Sequence, residues 1–106
     1  MAKIKVKHYL RVKNRFPDFL TAVETMGSVA RKEGPIDEKH AQLIQLAGAA
    51  AIRSEGAVHS HTRRALEAGA EGVEIYHALI LLTSTIGFPN MMAALSWAED
   101  VIENPE

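Results

Sequence analysis

Between residues 54 and 61 the chain reads SEGAVHSH, bringing Ser54, Glu55, His59 and His61 within about two helical turns. A serine, a carboxylate and two imidazoles can support nucleophilic, acid–base or metal chemistry, so spacing has to decide among the three. On a regular helix His59 and His61 point roughly 200° apart and cannot ligate one ion together. His40 and His77 fall on neighbouring helical segments, but no ligand spacing links them, and no metal is expected. Ser54 has no nucleophile-elbow pattern around it and no base at a set offset, so the nucleophile reading is weak.

His61 shares a stripe with Ser54, Ala57, Val58, Ala65 and Ala68 and is expected to point inward. His59 shares a face with Glu55 and Arg63 and is expected at an exposed or intersubunit surface. A lone inward histidine is more often a hydrogen-bonded core residue than a catalyst. Gln42 lies on the preceding helical segment, and an antiparallel pair turning near Arg53–Ser54 would carry it towards His61. A buried amide needs partners, and His61 is the candidate. Such a polar cluster in apolar surroundings is also what a ligand pocket looks like.

The elements that would hold these residues are written in caps and periods. Pro17 suits a first helical turn, Phe19, Val23, Met26 and Ala30 follow at helical spacing, and Gly34-Pro35 ends the run. Asp37 reads as an N-cap for EKHAQLIQLAGAAAIR, whose apolar residues cover more than one face and predict burial on most sides. Gly48 there would allow close helix approach. A third helix is expected from about Glu55 to Ala68 with Gly69 as a left-handed C-cap, a fourth from Val73 to Ile86, and a fifth from Pro89 through Ile102. The longest strand-like alternation is KIKVK. The fold class is all-α, a small bundle of five to six helices in a single domain over residues 1–106.

Composition narrows the function classes. With 106 residues, 47% hydrophobic, the core of one subunit is modest, and mostly apolar helices predict homo-oligomers that share buried surface. A net charge of −1 supplies no field for nucleic acid. No apolar run is long enough for a membrane span and no secretory leader is evident, so a cytoplasmic location is expected. Zero cysteines remove disulfide, thiolate-metal and thiol-redox chemistry. Lys3, Lys5, Lys7, Arg11, Lys13 and Arg15 make a basic arm over about 1–15, expected to be solvated or to pair with a neighbour's acidic tail, EDVIENPE.

Residues 37–102 resemble the carboxymuconolactone decarboxylase and alkylhydroperoxidase D-like superfamily. The resemblance rests on the ordered run of the 38–53 helix, SEGAVHSH, ALEAGA, the EI helix and GFPNMMAAL. It implies an all-helical subunit forming dimers, trimers or hexamers, with pockets close to subunit contacts. The superfamily's peroxidase branch would place a glutamate at Gln42, cysteines at Ser54 and Ala57, and a histidine at His61. Only the histidine is present, so cysteine-based peroxide reduction is not expected.

The decarboxylase branch is closer, matching Glu55-Gly56 and His61, and requires no cofactor. It implies a lyase acting on a small carboxylated lactone or related acid. There His61 would be proton donor or anchor, Gln42 a hydrogen-bond donor to the lactone, and Arg53, Arg64 or His59 carboxylate contacts. The alternative is a non-catalytic oligomeric ligand-binding or scaffold protein of the same fold.

Overall fold

The computed structural model describes residues 2–104, with side chains from residue 7 onward. The side chains of Lys3 and Lys5, and the terminal Pro105 and Glu106, lie outside the described residues. The chain divides into two compact units, Met1–Asp37 and Glu38–Glu106. Every described element is helical, as the periodicity predicts.

The first unit is a helical hairpin made by one proline. A residue before proline is pushed out of the α region, and Phe16 adopts φ −135°, ψ 64° ahead of Pro17. Helix α1 (Ala2–Arg15) therefore ends and α2 (Pro17–Lys32) begins. The backbone through KIKVK is helical, because lysine is a good helix former and a five-residue alternation is a weak strand signal. Part of the basic arm is paired within its own unit. Tyr9 donates to Glu24, and Lys13 Nζ stands 3.2 Å from both carboxylate oxygens of Glu24. Lys7, Arg11 and Arg15 are exposed. Leu20 is buried, while Phe19, Val23, Met26 and Val29 are exposed along α2.

The second unit contains α3 (Glu38–Ala51), α4 (Glu55–Glu67), α5 (Gly72–Ile80), α6 (Thr83–Ile86) and α7 (Phe88–Ile102). Helix α4 packs against both α3 and α7, and α5 packs against α3 and α7. Leu46, Val58, Ile75 and Leu79 are wholly buried and centre the core. Each such side chain contributes about 1.5–3 kcal/mol relative to leaving it exposed.

Three expectations are corrected here. Helix α3 buries a single stripe of Gln42, Leu46, Ala49 and Ala50, and Ile44 on another face is 56% exposed. Gly48 does not serve close approach within the subunit, since a Cβ there would meet nothing within 4 Å. The helix expected over 73–86 breaks after Ile80, where the Thr83 hydroxyl donates to the Ile80 carbonyl at 2.7 Å and Leu82 N–H turns back to Leu79. A local hydroxyl–carbonyl bond competes with the helical ladder, and the chain takes it.

Two details fix the ends of these helices. At the end of α4, Ala70 N–H bonds to Ala65 and Gly69 N–H to Leu66, with Gly69 at φ +100°. This is a Schellman stop, so the expected left-handed glycine is present. At the start of α5, the Glu74 carboxylate accepts from Glu71 N–H at 2.8 Å and from Lys39 Nζ at 3.1 Å. The Glu71 N–H first, and Lys39 second, hold the Glu74 carboxyl below its ordinary range.

Gly69→Ala should lower stability by about 1–2 kcal/mol through backbone strain alone, read from urea denaturation, because space for the methyl exists. Glu74→Gln tests the pH linkage. A depressed folded-state pKa gives stability that is present above the unfolded value of about 4.3 and lost as pH falls through the folded one. The glutamine variant should therefore lose less stability than wild type on acidification below that point. Parallel acid titrations would contradict it.

Candidate functional site

Backbone hydrogen bonds back to α3 close the α3–α4 turn. Ser54 N–H bonds to Ala49 and Arg53 N–H to Ala50, the same Schellman pattern that ends α4. Its left-handed position is held by Arg53, at φ +59°, where glycine would be cheaper. Ser54 then starts the next helix. It adopts φ −96°, ψ 97°, and its Oγ accepts from Ala57 N–H at 3.4 Å. One serine thus finishes α3 and caps α4, which sets the register of everything on α4 relative to α3.

His61 points towards α3. Its Nδ1 lies 2.8 Å from Gln42 Oε1, and Gln42 Nε2 donates to Glu38 Oε2 at 2.7 Å. The direction of this line follows from chemistry. A carboxylate only accepts, so the Gln42 amide nitrogen must face Glu38, its oxygen faces His61, and His61 donates from Nδ1. A neutral His61 ring consequently carries its basic lone pair on Nε2. Gln42 is 1% exposed, while His61 is only half-buried. The line thus runs from partly exposed Glu38 and His61 through a buried amide.

His59 is the main correction to the sequence reading. It is neither exposed nor at a subunit surface; its ring is 0% exposed. Nε2 stands 3.1 Å from Asp100 Oδ2 on α7 and 3.9 Å from Glu55 Oε2 one turn back on α4. The physical reason is that α4 has two packed sides. Positions 58, 59, 62 and 65 form the buried stripe, and position 61 lies off it, facing α3. A single inward stripe drawn through His61 necessarily put His59 in solvent. The buried Nδ1 of His59 and Oγ1 of Thr62 have no hydrogen-bond partner among the described residues.

The other candidates separate cleanly. Glu55 joins His59 and Asp100, and Ala57 packs half-buried against the core. Arg53 and Arg64 are exposed. Arg63, read from the sequence only as a neighbour of His59 on an exposed face, is half-buried, and desolvation lowers its pKa. Among the described residues, His40 and His77 belong to no three-residue cluster of metal-ligating type. Sequence reasoning missed Glu38 and Asp100. Glu38 had a local signal, four residues before Gln42 on the same helix face. Asp100 had none, being 41 residues from His59.

Comparison with known proteins agrees with the fold. The model of the carboxymuconolactone decarboxylase family matches residues 17–100. Among solved structures, the chain is similar to apo-lpg0406, a carboxymuconolactone decarboxylase family protein from Legionella pneumophila. The TM-score is 0.81 at 24% identity, covering 96% of this chain and 90% of that one. None of the curated proteins matches the chain. No helix among the described residues is long and apolar enough to cross a membrane.

The turn geometry has opposite consequences for substitutions at its two adjacent residues. Ser54→Ala should cost about 0.5–1 kcal/mol through loss of the cap, while Arg53→Gly should raise stability by up to about 1 kcal/mol. Chemical denaturation of the two variants reads both signs.

Proposed function

We propose that this chain, which belongs to the carboxymuconolactone decarboxylase family, is a cofactor-free lyase for a small carboxylated lactone or related acid. His61 is its proton-transfer group. The observation that supports the reading is the line from Glu38 through Gln42 to His61, which holds the ring through Nδ1; on this reading proton exchange belongs to Nε2. Loss of carbon dioxide from such a substrate leaves the electron pair of the broken C–C bond as an enolate. The Nε2–H of a protonated His61 delivers the proton that enolate needs, and solvent restores it. Gln42 is a positioning residue, holding the ring through Nδ1. Arg53, at the turn, and Arg64, on α4, are the cations proposed to meet substrate carboxylates, along with their copies in neighbouring subunits.

Assembly belongs to the same proposal. Ile44, Ile52, Val73, Leu81 and Phe88 are exposed on the second unit, more apolar surface than a lone subunit of this size gains from showing. Sedimentation should report more than one subunit.

A second reading, an oligomeric ligand-binding or scaffold protein without turnover, is favoured by one feature. Gln42 and His61 satisfy each other as a structural pair would. Turnover of carboxymuconolactone and related acids, followed by release of carbon dioxide, separates the readings. His61→Ala should reduce kcat by about 10²–10⁴-fold, and Gln42→Leu should reduce it less while altering the pH profile. Ligand-induced thermal stabilisation without any turnover would support the scaffold. Unchanged turnover in His61→Ala would end the proposal.

A further inference from the structure

We propose that Glu55, His59 and Asp100 form a binding site for a divalent first-row transition ion, distinct from the His61 line and independent of the activity assigned to it. One ligand atom from each residue lies within 4.8 Å of the others. Ligand atoms about 2.1 Å from a shared ion stand about 3.0–3.4 Å apart. The His59–Asp100 separation of 3.1 Å already falls there, and the His59–Glu55 separation of 3.9 Å needs only a small closure. Glu55 can supply it, since its side chain is 25% exposed and sits at the first residue of α4.

The burial of His59 is the independent observation. A ring that is 0% exposed holds its Nε2 towards Asp100 Oδ2 and Glu55 Oε2, at 3.1 and 3.9 Å, so the nitrogen that faces the two carboxylates is fixed in direction by the core around it. Core packing alone does not require its one satisfied nitrogen to face two carboxylates. A divalent ion seated between them would use all three ligand atoms. The set also balances in charge, because two carboxylates and a neutral imidazole carry −2, which a divalent ion cancels. One nitrogen and two oxygens suit zinc, manganese or iron(II) rather than a soft ion. Asp100 is 41% exposed on its side chain, so water can reach the remaining coordination positions.

Helical spacing explains how the site escaped the sequence reading. That reading correctly excludes a His59–His61 pair on one helix. Here two ligands come from adjacent turns of α4, at residues 55 and 59, and the third comes from α7. In the metal-free protein His59 donates from Nε2 to Asp100, so the neutral ring has its lone pair on Nδ1. An ion taking Nε2 requires a neutral ring whose remaining proton sits on Nδ1. The tautomer therefore reverses on binding, and a spectrum can follow it.

The test is titration of chelator-treated full chain with Zn²⁺ against a chromophoric competitor, with Mn²⁺ as a second probe. Zinc should bind at one equivalent per chain. Asp100→Asn and Glu55→Gln should each weaken it tenfold or more while keeping the wild-type helical spectrum. Both positions are partly exposed, so these variants keep the test sound if His59→Gln does not fold. Ring nitrogen resonances should show His59 changing from the Nε2–H to the Nδ1–H form on addition of zinc, with His61 unchanged. Binding that persists undiminished in both carboxylate variants would assign the ion to exposed histidines such as His40 or His77 and overturn the proposal. So would substoichiometric binding, or an unchanged His59 spectrum.

Discussion

The arrangement depends on α4 having neighbours on two sides. A helix against one partner needs a single apolar stripe, and its other residues are free to be polar. A helix packed against both α3 and α7 has little free perimeter, so the polar residues it keeps on those sides must find partners. His61 finds Gln42, and His59 finds Asp100. Both histidines are thereby committed to defined orientations, and each is fixed by a residue on a different helix. The chemistry available to the protein descends from that packing constraint.

Much of the helical frame was legible in the sequence, because the signals were local. Pro17, Gly69 and Gly87-Phe88-Pro89 mark ends that the backbone respects, with Gly69 and Gly87 at positive φ. The internal break after Ile80 was less visible, since a threonine hydroxyl bonding a carbonyl leaves no periodic trace. The first helix was obscured by alternating lysines that carry no strand of their own.

Within the candidate site, legibility followed sequence distance. The Gln42–His61 meeting could be anticipated because a short turn joins the two helices and fixes their register. Glu38 was within reach of the same argument, at one helical turn from Gln42. His59 was misread because the number of packed neighbours around α4 is a tertiary fact. Periodicity gives the angle between two side chains accurately, and here it correctly separated the two histidines. It does not say how many of those directions are occupied by protein.

The two histidine groups also differ in how the chain must close to form them. Gln42 and His61 are 19 residues apart, across one tight turn, whereas His59 and Asp100 are 41 apart with α5 and α6 between them. Bringing distant segments together carries the larger loop-closure entropy. A partial opening that releases α7 would therefore dissolve the carboxylate–imidazole cluster and leave the Glu38–Gln42–His61 line standing in the α3–α4 hairpin. The backbone amides of α7 and of the α3–α4 hairpin would then exchange as separate cooperative units, and the cluster that an ion could staple is the one most in need of a staple.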